Sequence, residues 1–463
     1  MPQPHLFLPG SSAGMQTKMQ LESRSDVAIG TKAPEQPARW TPGTRIAFRF
    51  AFVYFGLYIL YLPLHLLSFP PITQFAALYN SVWAKTVVWF SKHVLHLSHN
   101  FALDYQNGVG GSKDTTYIYV QVLCYVIAAA MVTVIWSVLD RRRPSYPQLY
   151  NWFIVGLRLS MAVTMISYGA VKIFPAQFPA PSLSKLLQTY GDSSPMGLLW
   201  TFMGGSWLYS GFAGAMELLA ALLLVVPRLA TLGTLVFVAD MTNILMLNLG
   251  YDVPVKLGCI NFLVMAAIVL LPDLGRLIDF FVRNRPIQSA PPRPLFRRPW
   301  LNWVAIALQV AFGVVLLSYN LYRSHQLANR ILSQRSAPLY GIWLVDEFQM
   351  DGRLIPPLVT DPVRWHRLIV ESFEDAAVQT MAGTREGLHL HSEGATGSFV
   401  LTSYRDPNWI AQFSSQRPQP ELLVLQGEIG GHPASITLHR EDESKFILNS
   451  RGFHWIQDFA DNE

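Results

Sequence analysis

Seven apolar stretches, at residues 46–68, 117–138, 153–174, 206–226, 229–248, 257–272 and 301–320, limit what this chain can fold into more than any other feature. A helix of about 20 such residues crosses the hydrocarbon of a bilayer, and it satisfies its backbone N–H and C=O groups internally, as lipid demands. Charged residues make up only 14% of the 463, against about a quarter in soluble domains. That deficit is confined to residues 46–320; from residue 336 onward the composition is ordinary. The predicted fold class is an all-α transmembrane helical bundle of seven spans, followed by an all-β barrel-like domain outside the lipid.

The intervening segments refine this division. Residues 1–44, rich in Pro, Ser, Gly and Gln, read as a disordered cytoplasmic tail, and the apolar run His5–Gly10 is too short for a cleavable signal. Met15 and Met19 are alternative starts. Residues 45–150 hold two spans and, at 79–99, a stretch interrupted by Lys85, Lys92, His93, His96 and His99 that reads as an interfacial amphipathic helix. A four-span unit occupies 151–285, a linker and the seventh span 286–335, and the β-rich domain 336–463. Arg39, Arg45, Arg141, Arg142, Arg143, Arg228 and the arginines from Arg276 to Arg298 fall on one side of seven spans, whereas loops 69–116, 175–205 and 249–256 hold few basic residues. The positive-inside rule then predicts a multi-pass protein of the cell (inner) membrane, N-terminus cytoplasmic and C-terminal domain extracytoplasmic. The lipid bilayer is the expected partner; a formal charge of +5 is too small to argue for nucleic acid. Cys124 and Cys259 lie inside apolar runs and supply neither a disulfide framework nor a metal spacing.

Ionisable residues inside spans are costly and mark function or structural pairing. Arg158 and Lys172 share one face of the third span, about 21 Å apart along its axis. Glu217 falls near the middle of the fourth, flanked by Ala213, Gly214, Ala220 and Ala221, small residues that let another helix approach and so turn Glu217 inward. Asp240 lies mid-way along the fifth, with Asn243 one turn further on. Arg158, Glu217, Asp240 and Asn243 form either a charge network fixing helix register or a proton or cofactor path. Depth along the spans predicts that Arg158 pairs with Glu217, snorkelling across about 6 Å.

The run from Arg158 to Phe178 and the later Gly214–Val225, with Arg158, Gly169, Lys172 and Glu217 at matching positions, resemble the DoxX family of small four-helix membrane proteins. The resemblance covers residues 150–285, and Ala220 and Ala221 stand where the family usually has paired glycines. It implies a four-helix membrane unit of the kind that, in some relatives, serves quinone-linked oxidoreductases.

A second polar group collects on the predicted outer face: Tyr168, Lys172 and Gln177 at the end of the third span, Tyr190, Asp192, Ser193 and Ser194 in the following loop, Asn248, Tyr251, Asp252 and Lys256 around the fifth, and Asp114 and Tyr117 before the second. Interface anchors and turns account for such residues one by one. Together they suit a lipophilic ligand, a Lys or Tyr donating to a quinone oxygen or an anionic headgroup. No flavin, haem or iron–sulfur motif is present, so no cofactor is identified beyond quinone, and a redox role would need a membrane redox partner. His93 and His96, at i and i+3, could share a metal, but His99 lies about 120° off that direction; interfacial histidines with no metal are the reading taken.

From residue 336 the period shortens to two. Segments 341–348, 364–372, 387–392, 398–403, 409–415, 421–429, 434–440 and 445–449 predict eight short strands, closed as a barrel or packed as a sandwich. Gly341-Ile342-Trp343 resembles the opening of lipocalin-like barrels, which implies that a late basic residue, here Arg451, packs on Trp343. The candidate functions are a quinone-linked redox component, a lipid-handling or transport protein, and a non-catalytic scaffold.

Overall fold

The computed structural model describes residues 39–66, 70–98, 114–289, 293–392 and 397–457. Most of the predicted tail, and His99, therefore lie outside the described residues. Helices α1 (Pro42–Leu66), α2 (Pro70–His93), α3 (Thr116–Leu139), α4 (Pro147–Ile173), α5 (Leu183–Leu186), α6 (Pro195–Gly205), α7 (Trp207–Val225), α8 (Ala230–Gly250), α9 (Lys256–Leu270), α10 (Leu274–Phe281) and α11 (Pro299–Gln334) precede the strands. Among the described residues seven helices are long and apolar enough to cross a membrane: α1, α3, α4, α7, α8, α9 running on into α10, and α11. Prolines open α4, α6 and α11 at positions where no intrahelical N–H is lost.

Helix α4 is the bundle's axis. Leu157, Met161, Met165 and Ile166 are fully buried on it, and α1, α7, α9 and α11 all pack against it. The stretch expected to be an interfacial helix is the second half of α2, which starts earlier, at Pro70, and ends at His93. Its Tyr79 hydroxyl donates to the Leu57 carbonyl at 2.7 Å, and Val87 packs with Tyr117, Val120 and Cys124 of α3.

The seventh span also exceeds its expected limits. It runs unbroken for 36 residues, about 54 Å, against a hydrocarbon core of about 30 Å. Phe174, at the end of α4, lies edge-on to His325 at 5.2 Å, so the polar last turns of α11 still lean on the bundle. The residues beyond the predicted span, 321–334, thus continue its helix as a stalk.

The stalk delivers the chain into a barrel of β1 (Gly341–Met350), β3 (Trp365–Val370), β4 (Asp375–Thr380), β5 (Arg385–Ser392), β6 (Ser398–Ser403), β7 (Ile410–Gln419), β8 (Leu422–Ile429) and β9 (His432–Arg440), with the two-residue β2 (Arg353–Leu354) added along β1. Each strand pairs antiparallel with its successor and β9 returns to β1, which closes the sheet and removes its edges. Closure decides the barrel over the sandwich. Register shifts after Val345 and after Trp365 flip the pleat, so that Trp343 and Val345 point inward with Phe348, and Trp365 with Leu368 and Val370. Trp343, Phe348, Trp365, Phe399 and Phe413 fill the interior, as eight strands allow.

Three expectations for this domain need correction. Residues 445–449 are not a strand but the end of a 3-10 turn and the helical turn α12 (Ile447–Ser450). The eighth barrel strand is instead β4, whose sequence DAAVQT is too short and polar to announce itself. The guanidinium stacked on Trp343, at 5.1 Å, belongs to Arg417 of β7, while Arg451 is exposed.

Candidate ligand site inside the bundle

The two ends of the bundle are marked by their contacts. At one end Arg45 donates to the carbonyls of Arg141 and Arg143 (3.2 and 2.9 Å), and buried Asp273 pairs with Arg276 and Arg293, each at 3.0 Å. Arg228, Arg297 and Arg298 share this basic end. At the opposite end the Asp114 carboxylate accepts the first N–H groups of α9, from Lys256 at 2.7 Å and Leu257 at 3.2 Å. The barrel docks there too. Glu371 accepts from the backbone of Leu183 and Ser184 (3.1 and 2.6 Å), and Arg385 donates to the carbonyls of Ser184 and Leu187 (2.7 and 3.1 Å). An acid thus holds the start of α5 and a base its end, the arrangement a helix dipole favours. Leu183 seats on Ile342, Ile369 and Ala377, which explains why those outward-facing barrel positions are apolar.

Between the two ends, α4 and α7 cross at two glycines. A Cβ on Gly169 would lie 2.8 Å from the Gly214 carbonyl oxygen, and one on Gly214 would lie 2.7 Å from that of Gly169. No side chain fits there, and the close approach lets the Lys172 stem, one turn past Gly169, lean back across the crossing to Glu217, one turn past Gly214. The Lys172 ammonium donates to Glu217 Oε1. Glu217 is 1% exposed and Lys172 8%, and the Lys172 ammonium also lies 5.8 Å from the Tyr168 ring. Asp240 of α8 is close enough to both for their charges to interact.

The pairing expected between Arg158 and Glu217 is therefore wrong. Arg158 donates to Gln309 of α11 instead. Depth along the helices misjudged the choice because a lysine stem reaches a full turn, and the glycine crossing brings Lys172 closer. Asn243 is exposed on the outside of the bundle and does not join Glu217 and Asp240.

What distinguishes this cluster is what it leaves unbonded. Glu217 Oε2 and Asp240 Oδ2 are buried with no hydrogen-bond partner, as are Ser210 Oγ, one helix face up from Gly214, and Gln177 Oε1 at the end of α4. Two carboxylates face one ammonium, so the cluster can take a further donor, a proton or a polar ligand atom.

The residues predicted for the outer face do not converge. Only Tyr168, Lys172 and Gln177 belong to the region just described. Asp252 pairs with Lys256 at 2.8 Å on the surface, Asp192 accepts from Thr189, and Tyr190 is exposed. Ser193 is part of the same turn, Asn248 donates to the Cys259 sulfur at 3.3 Å, and Tyr251 packs with Phe178, Leu199 and Val253. Topology brought them to one end; packing separated them. His93 bonds the Trp89 carbonyl within its own helix, at 2.9 Å, and no metal-binding group of His, Cys, Asp and Glu occurs among the described residues. Sequence reasoning missed Gln309, Glu371 and Arg385. The apolar triplets Gly341–Trp343 and Leu368–Val370, buried on both faces, were the signal that something covers the barrel wall.

No family model matches this chain, and no solved structure matches it. The "Uncharacterized protein YwoB" of Bacillus subtilis is 33% identical to it over 134 residues, 28% of this chain and 83% of that protein.

Proposed function

The chain belongs to the family of the Bacillus subtilis protein YwoB, and from that premise we propose that it is a DoxX-like membrane component whose Lys172–Glu217–Asp240 cluster binds the polar head of a lipophilic ligand, a quinone. The shared length of 134 residues suits a unit of four spans of about 20 residues with short connections; here that unit is α4, α7, α8 and α9.

One observation carries the reading: Glu217 Oε2 and Asp240 Oδ2 are buried and unbonded beside the Lys172 ammonium. Lys172 is the donor for a quinone carbonyl, and the two unpaired carboxylate oxygens accept from the hydroxyls of the quinol that forms when the ring takes up two electrons and two protons. Electrons come from a membrane redox partner. The barrel's filled interior makes it a cap over this end of the bundle, which weighs against a lipid-transfer role for it. The basic end faces the cytoplasm of the cell (inner) membrane and the barrel the opposite side.

Mass spectrometry of organic extracts from gently purified protein tests the ligand. Quinone at near one per chain supports the reading, and phospholipid alone overturns it in favour of lipid handling. Alkaline phosphatase fused after Glu463 should be active and after Arg143 inactive; the reverse pattern overturns the orientation.

A further inference from the structure

Among the described residues three arginines are almost wholly buried, and they are not equally provided for. Arg49, 3% exposed, donates to the Tyr146 hydroxyl, the Ser137 hydroxyl and the Asp140 carbonyl at 3.1, 2.9 and 2.9 Å. Arg364, 2% exposed in the barrel wall, donates to the carbonyls of Ile355, Trp365 and Asp346 at 3.0, 3.3 and 3.2 Å. Arg158, 5% exposed within α4, has one acceptor among the described residues, the Gln309 side chain, and its Nε is buried with none. Among the described residues no carboxylate forms an ion pair with it, and its hydrogen bond goes to a neutral amide.

A guanidinium keeps its proton in a protein, and a buried charge with neither counter-charge nor full hydrogen bonding is among the costliest arrangements a fold can hold. The Arg158 guanidinium can therefore take a further acceptor that the described residues do not supply. Its direction of approach is fixed by the helices. Both α4 and α11 begin at the basic end, and helical side chains lean toward the N-terminus, so Arg158 and Gln309 point that way together. At the mouth of the seam between them, Trp152 packs edge-on against Phe296 at 5.4 Å, and exposed Arg297 and Arg298 precede the first turn of α11. Arg158 lies about 16 Å along α4 from Pro147, a depth at which snorkelling and local bilayer thinning bring a buried arginine and lipid headgroups together.

We infer that the seam between α4 and α11 is a binding site for an acidic phospholipid of the basic-side leaflet, its phosphate accepting from the Arg158 guanidinium beside Gln309 and the rest of its headgroup held by Arg297 and Arg298. Basic pockets between spans on this side recognise such headgroups by charge and by the planar fork of the arginine. The site is separate from the quinone cluster, and neither depends on the other.

The test uses the full chain in phosphatidylcholine micelles, titrated with dioleoylphosphatidylglycerol or with inorganic phosphate. Phosphatidylglycerol should raise the melting temperature and stay bound in native mass spectrometry, inorganic phosphate should do neither, and Arg158→Gln should lower phosphatidylglycerol retention about tenfold or more. Gln309→Leu, which leaves the charge intact but removes its acceptor, should make melting more dependent on phosphatidylglycerol, and it decides the matter if Arg158→Gln does not fold. Equal retention of phosphatidylcholine, an equal response to inorganic phosphate, full retention in Arg158→Gln or an unchanged dependence in Gln309→Leu would each overturn the inference.

Discussion

The bundle and the barrel solve the problem of a stable interior in opposite ways. The barrel fills its interior with apolar residues and shows most of its charges; its buried polar side chains among the described residues are Arg364, Ser372 and Ser403, each hydrogen-bonded. The bundle shows apolar side chains such as Val134, Leu139, Phe212 and Val315 to the outside and buries Arg49, Arg158, Lys172, Glu217, Asn248, Asn261 and Gln309. In lipid, exclusion from water no longer separates inside from outside, so close approach at small residues and polar contacts must specify the packing. The barrel interior is filled by apolar side chains such as Trp343, Phe348, Trp365, Phe399 and Phe413. The bundle interior keeps unmatched acceptors, and that is where a ligand has something to gain.

This contrast can be broken most forcefully at the two kinds of core. Glu217→Ala should strand the Lys172 ammonium and destabilise the bundle by about 3–5 kcal/mol, and Lys172→Met with Glu217→Leu should recover most of the loss. Trp343→Ala, which empties the barrel interior, should cost about 3–5 kcal/mol, and no second apolar deletion should restore it. Melting followed separately by tryptophan fluorescence and by hydrogen exchange of each region distinguishes the two responses.

A smaller effect is expected at the crossing. Gly214→Ala places a methyl against a backbone carbonyl that cannot step aside, a cost of about 1–3 kcal/mol. Gly258, near the start of α9, whose Cβ would meet open space, should tolerate Ala. Equal tolerance at both positions would remove the close approach from the account.

The joint between the regions comes next. Arg385→Ala leaves the carbonyls of Ser184 and Leu187 without that donor, worth about 1–2 kcal/mol, and should open residues 179–194 to proteolysis while the barrel stays folded. The smallest effect is acid sensitivity confined to the barrel. Asp361 accepts the backbone N–H groups of Arg364 and Val363, which hold its carboxyl below the usual range. A depressed folded pKa contributes stability that is fully present above the ordinary carboxylate pKa and is lost as pH falls through the folded value. Asp361→Asn should flatten the dependence of barrel melting on pH in that acidic window; an unchanged slope would show that the carboxylate contributes nothing.

The spans were legible because a helix in lipid leaves a contiguous apolar signature of fixed length, and seven such runs became seven helices. Strands leave a weaker one: β4 buries Ala376, Ala377 and Val378, residues that are neither large nor alternating. The register shifts in β1 and β3 were invisible to a strict period of two. Within the candidate site, Lys172 and Glu217 were each recognisable as out of place in a membrane, but their pairing was not, since it depends on a crossing between Gly169 and Gly214 that no local pattern encodes. The outer-face group was read from topology alone, which places residues at the same depth without placing them together.

The central claim is that the buried charges serve a ligand rather than the fold alone, and Lys172→Met/Glu217→Leu tests it most directly, since apolar replacement of a buried pair is often neutral for stability. Wild-type and variant protein, purified side by side to equal melting temperature, should differ in retained quinone by about tenfold or more, the equivalent of about 1.4 kcal/mol of binding. A variant that folds and carries as much quinone as wild type would contradict the account and leave Lys172 and Glu217 as a structural pair.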